Sequence, residues 1–186
     1  RDIIDEKSET FIWTEHPKDY GTSLVTWLKK TKEIVYISEQ DGWRHLYLVD
    51  VATGDMKQIT RGEYVLRYVD KIDEEKRQIW FRASGRNPMQ DPYLIHYYRV
   101  NFDGSGLTEL TEGNGTHQIR YSPDRRYIID TFSRVDLAPV NELRRVSDGK
   151  LVCKLEESDI GELEASGWEA PEVFSSMGRD GKTGIW

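Results

Sequence analysis

The sequence predicts an all-β chain: part of a β-propeller holding about three four-stranded antiparallel blades. Three observations lead there. An alternating run, a glycine-containing turn and a second alternating run occur together at 46–60, again at 97–111 and again at 143–156. A short apolar or aromatic strand precedes each copy, and a more variable strand precedes that. The whole unit recurs about every 45–50 residues, the period of a blade, whose two faces are buried only when other blades flank it.

The elements follow in order. Asp2-Ile3-Ile4-Asp5 reads like the outer strand of a blade, as Gln58-Ile59-Thr60 and Glu109-Leu110-Thr111 do, so residues 1–7 are expected to close a preceding blade. The first full blade takes residues 8–62, with strands at Ser23 to Leu28 and Ile34 to Ser38, then a hairpin around Thr53-Gly54. Asp41-Gly42 opens its central turn. Leu46, Leu48 and Val49 should enter the sheet, and Trp43 and Tyr47 should pack between blades; Trp43 and His45 also leave a ligand-binding edge open as a reading. The second blade takes 63–113, with strands at Val65 to Ile72 and Ile79 to Ser84 and a hairpin around Asp103-Gly104. Its insertion, Gly85 to Pro92, reads either as a plain connector or as a contact loop. The third takes 114–157, with strands at Thr116 to Tyr121 and Tyr127 to Phe132 and a hairpin around Asp148-Gly149. Glycine in each hairpin turn supplies the positive φ that a tight turn requires. Residues 158–186 then change character: an acidic short helix near 157–165 and a hairpin around Arg179-Asp180-Gly181. Both ends read as cuts through a longer chain.

Composition narrows the function classes. The formal net charge is −7, and an acidic surface argues against nucleic acid as a partner. No apolar run approaches the roughly 20 residues that span a bilayer. Arg1 to Lys7 lacks the apolar segment of a signal peptide. The single cysteine, Cys153, cannot form an internal disulfide, which suits the cytoplasm or a bacterial periplasm. The four histidines, His16, His45, His96 and His117, show no metal-ligand spacing. Gly181-Lys182-Thr183 lacks the glycine that a phosphate loop needs at position 176, which is Ser176. No metal and no cofactor is expected. Asn114-Gly115-Thr116 is a glycosylation sequon, meaningful only in a eukaryotic secretory protein, and reads first as an inter-blade turn.

Two stretches carry a resemblance. Ser38-Glu-Gln-Asp-Gly-Trp-Arg-His-Leu-Tyr-Leu48, with Thr10-Phe11-Ile12-Trp13-Thr14-Glu15 before it, is similar to part of the propeller of the dipeptidyl peptidase IV family of serine peptidases. Gly167-Trp-Glu-Ala-Pro-Glu-Val-Phe174, with Gly178-Arg-Asp-Gly-Lys-Thr183, resembles the passage into that family's α/β-hydrolase domain. The resemblance implies an eight-bladed propeller joined to a C-terminal hydrolase that removes dipeptides from free N-termini. It also implies an active site in the cavity between the two and peptide substrates admitted by the propeller. Three blades cannot close such a ring, and the blade face left without its neighbour makes a homodimer a possible partner arrangement. A periplasmic or secreted location is favoured for a bacterial parent. No Gly-x-Ser-x-Gly elbow occurs in the sequence, so catalytic residues are not expected here. Asp73-Glu74-Glu75 and Glu156-Glu157 read as solvated turns rather than as the family's amine-binding glutamates. The best functional candidate is the loop Glu15-His16-Pro17-Lys18-Asp19-Tyr20, with Glu15, His16 and Tyr20 expected to face the substrate cavity. The alternative function is a non-catalytic propeller that binds a protein or glycan.

Overall fold

The computed structural model describes residues 2–13 and 23–186. Three antiparallel sheets follow one another, each a simple meander. The first is β1 (Val25–Trp27), β2 (Glu33–Ser38), β3 (His45–Asp50) and β4 (Met56–Gln58). The second is β5 (Val65–Asp73), β6 (Gln78–Ser84), β7 (Ile95–Asn101) and β8 (Thr108–Glu109). The third is β9 (Thr116–Tyr121), β10 (Tyr127–Arg134), β11 (Leu137–Arg145) and β12 (Leu151–Glu157). A short helix α1 (Gly161–Ala165) and a two-stranded ribbon of β13 (Ser176–Met177) and β14 (Gly184–Ile185) complete the described chain. By internal contact the chain divides into two compact units, residues 1–86 with 97–109 and residues 87–96 with 110–186.

In the first unit two sheets share one core. Leu28, Val35, Ile37, Leu46 and Ile59 meet Leu66, Ile79, Phe81, Tyr98, Val100 and Phe102. Strands β2, β3, β6 and β7 are buried on both faces along most of their length, which explains their near-continuous apolar reading. Phe81 and Tyr98 stack with centroids 5.5 Å apart. Polar ties reinforce the packing. Arg77 donates from both terminal nitrogens to Glu33, at 2.7 and 3.0 Å, and holds that carboxyl below the usual carboxylate range. The Leu66 N–H donates to the Arg44 carbonyl at 3.0 Å. The Asp103-Gly104 turn presses closely on the first sheet, so that a Cβ on Gly104 would lie 2.8 Å from the Ile59 carbonyl oxygen.

In the second unit β10 alternates: Ile128, Asp130 and Phe132 are buried while Ile129 is exposed. Strand β12 is exposed throughout, with Leu151, Val152 and Leu155 in solvent. The ladder between β11 and β12 slips register at Asn141/Glu142 and again at Leu143/Arg144.

The sequence expectations meet the structure unevenly. Gly54, Gly104 and Gly149 all adopt positive φ, at 85°, 83° and 71°, in equivalent hairpin turns. Leu46, Val49 and Tyr47 are buried as expected. Trp43 is not; it is 39% exposed. It follows Gly42, whose φ is 91°, and its N–H is spent on Asp41 Oδ1 at 3.1 Å. The residue therefore belongs to the turn rather than to the ladder. Residues 2–5 and 11–13 form no strand. The first of these segments is tied instead by a side chain, the Tyr36 hydroxyl donating to Glu6 Oε2 at 2.5 Å.

Candidate functional site

Glu15, His16 and Tyr20 lie outside the described residues. Among the described residues, Trp13 meets the turn 39–44 that leads into β3, through Arg44. Gly42 N–H donates to the Glu39 carbonyl at 2.9 Å, closing the turn. His45, the first residue of β3, is completely buried and fixes the end of that turn. Its Nε2 lies 2.9 Å from the Gly62 carbonyl and its Nδ1 3.1 Å from Thr60 Oγ1. Thr60 Oγ1 in turn accepts the Leu46 N–H at 3.0 Å. A neutral ring satisfies all of this: Nε2–H donates to Gly62, and Nδ1 accepts the Thr60 hydroxyl proton. Tyr64 meets the ring edge-on at 4.8 Å.

Arg44 stands between this anchor and Trp13. Its guanidinium carbon lies 4.4 Å from the Trp13 ring centroid, a cation–π distance. The residue is 8% exposed. Burial depresses its pKa, Glu39 opposes that shift, and the nearby Arg67 charge adds to it.

A second polar cluster sits in the other unit. His96, the first buried residue of β7, packs against His117 of β9 with centroids 4.6 Å apart. His96 Nε2 donates to Gln90 Oε1 of the insertion at 2.8 Å. His117 Nδ1 faces both oxygens of Asp130, at 2.8 and 3.0 Å, and its Nε2 faces the Gly113 carbonyl at 2.7 Å. Both ring nitrogens therefore meet oxygen acceptors. Arg144 closes the network, donating to Glu112 at 3.0 Å and to Glu142 at 2.9 Å, with Asp130 3.5 Å away. Burial, and then the His117 charge, push His96 down to about 4.

Sequence reading missed this pairing, although the repeat held the signal. His45 and His96 occupy matching positions at the start of the third strand of their sheets, and Thr60 and Gly62 match Thr111 and Gly113. Where the first junction sets Tyr64 against its histidine, the second sets His117.

Other candidates resolve into structure. Asp73 accepts the Lys76 N–H at 3.1 Å, Glu74 accepts the Lys30 N–H at 2.9 Å, and Glu75 takes the Lys30 ammonium. The acidic triplet is thus a turn-closing device. The Asn114 carbonyl accepts from Arg134 at 2.8 Å. The insertion is braced by Asn87 and Asp91, which accept the Met89 and Tyr93 N–H groups. With Asn114, Arg134, Val173 and Trp186 it borders an open cavity of about 400 Å³. Among the described residues no group of three His, Cys, Asp or Glu is placed to hold a metal.

Successive four-stranded antiparallel meanders, two of them packed core to core, define the chain as a β-propeller protein, present here as part of a propeller. The family described as "Dipeptidyl peptidase IV (DPP IV) N-terminal region" matches residues 2–139. The chain belongs to that family. Among curated relatives, dipeptidyl peptidase 4 of Arthroderma otae is 27% identical over 150 residues, covering 80% of this chain and 18% of the relative. Dipeptidyl peptidase 4 of Trichophyton equinum is 27% identical over 164 residues, covering 87% and 20%. The solved Porphyromonas gingivalis dipeptidyl peptidase 4 superposes with a TM-score of 0.54 at 23% identity, over 77% of this chain and 19% of that one. A Bacteroides ovatus protein assigned as a dipeptidyl aminopeptidase IV superposes with a TM-score of 0.64 at 18% identity, over 87% and 25%. The two superpositions establish the fold. The chain spans about a fifth of the length of the curated relatives it matches.

Proposed function

We propose that this chain is the propeller portion of a dipeptidyl peptidase IV-like serine exopeptidase, and that it gates and positions peptide substrates there. In this reading the nucleophile, base and oxyanion donors come from an α/β-hydrolase domain C-terminal to it, and this chain carries no catalytic triad. The observation that carries the proposal is the family match over residues 2–139, coinciding with three consecutive four-stranded sheets. A propeller alone supplies no acyl-transfer chemistry, because that needs an activated nucleophile beside a base and an oxyanion site. What it supplies is a rigid wall of loops, on which polar and aromatic groups can orient a peptide and exclude bulky chains.

The loop Glu15–Tyr20 is the proposed substrate-facing segment. It brings a carboxylate, an imidazole and a phenol to one stretch of sequence shortly after Trp13. Replacing Glu15, His16 and Tyr20 together with alanine in the full-length polypeptide tests it. Turnover of a dipeptidyl chromogenic substrate should change little. The kcat/KM for a longer peptide should fall about tenfold, since the longer chain reaches further along the propeller wall. Equal kcat/KM for both substrates, before and after substitution, would return the loop to a surface turn.

A further inference from the structure

The two buried guanidiniums among the described residues are treated in opposite ways. Arg144 is ringed by Glu112, Glu142 and Asp130. Arg44, 8% exposed where Arg144 is 3%, has no carboxylate within ion-pairing distance among the described residues and no side-chain hydrogen bond there. Glu39 reaches it only through space, and Arg67 adds a second positive charge. A charge taken out of water without a counter-charge is costly, and native structures rarely leave one without a reason. Arg44 is also held rigidly. Its carbonyl is fixed by the Leu66 N–H, the next residue, His45, is locked on Thr60 and Gly62, and its guanidinium lies against the Trp13 face. Such a fork loses little freedom when it binds, and its geometry fits a carboxylate through two parallel hydrogen bonds.

We propose that Arg44, braced by Trp13, is a carboxylate-binding group for a peptide ligand. This rests on the peptide-handling role proposed above and names a subsite within it. The site is open to a carboxylate because its own turn offers none: Asp41 is occupied by the Trp43 N–H and by Gln58. Trp13 remains partly exposed beside the charge, so an apolar residue flanking the carboxylate would be accepted with it. Two sources carry this chemistry, an acidic side chain within the peptide and its free C-terminus.

The test is direct binding, so that it stands apart from peptidase activity. The chain is titrated with three pentapeptides: Ala-Pro-Ala-Glu-Ala amide, Ala-Pro-Ala-Gln-Ala with a free C-terminus, and Ala-Pro-Ala-Gln-Ala amide. The Arg44 Nε–Hε resonance and the Trp13 fluorescence report occupancy. One of the two carboxylate peptides should bind about tenfold more tightly than the neutral one, the size expected for a single charge-assisted contact, and which one does so identifies the source. Arg44→Lys keeps the charge and removes the fork, and should abolish the preference; a circular dichroism spectrum equal to that of the parent shows that the fold survives. Equal affinity for all three peptides would overturn the proposal. So would an Arg44 Hε resonance that shifts, without peptide, on Glu15→Gln with Asp19→Asn, because the chain would then supply its own counter-charge. Loss of peptidase activity in the full-length polypeptide, with the carboxylate preference intact, would count against the peptidase reading and leave the subsite standing.

Discussion

At Gly104 the backbone runs at φ +83°, and a methyl group there would meet the Ile59 carbonyl oxygen at 2.8 Å. Gly104→Ala therefore combines a disfavoured backbone with a backbone clash, and should lower stability by about 2 kcal/mol in urea unfolding. His96 makes a second prediction at this scale. Folding keeps its ring neutral until about pH 4, whereas an unfolded histidine takes its proton near about pH 6.5. Between those values the unfolded chain binds more protons than the folded one. The stabilisation is complete above the unfolded pKa and drains away as the pH falls toward the folded one, by roughly 3 kcal/mol in all. In His96→Gln, the urea midpoint should fall less steeply between pH 7 and 4 than in the parent. Turn glycines of this kind are legible in sequence because the turn itself selects them. The His96–His117 pair is not, because strand periodicity says which face a residue occupies and not which residue it meets across a junction.

At the scale of the element, β10 reads as an alternating strand with one position that breaks the pattern: Asp130 sits on the buried face between Ile128 and Phe132. The structure supplies the reason, since the carboxylate bridges His117 and Arg144. Asp130→Asn leaves the shape and removes the buried charge that faces Arg144 and bonds His117. It should cost about 3–5 kcal/mol, the usual consequence of breaking a buried ionic group from one side, and calorimetry would show it as a lowered Tm. Strand existence in all three blades was readable from alternation and turns, including the acidic helix and the Asp180-Gly181 hairpin. The strand expected at residues 2–5 is absent, because a four-residue apolar alternation makes a strand only if a neighbouring strand accepts its ladder. Trp43 was misread for a related reason: bulk and aromaticity suggested packing, while the preceding Gly42 had already turned the chain outward.

At the scale of the molecule, the proposed role is that of a substrate-side wall, with the catalytic machinery supplied by a hydrolase domain. The candidate loop, Glu15 to Tyr20, is proposed from its composition and its resemblance; the setting of Arg44 against Trp13 was not legible, because the lack of a counter-charge among the described residues is a property of the folded surroundings. A dipeptidyl exopeptidase must recognise a free amino terminus, and this gives the account its sharpest test. The full-length polypeptide is assayed on Gly-Pro-p-nitroanilide and on the same substrate with its amino group acetylated. The account predicts steady release of p-nitroaniline from the first and none from the second. Turnover of neither substrate, or equal turnover of both, would contradict it.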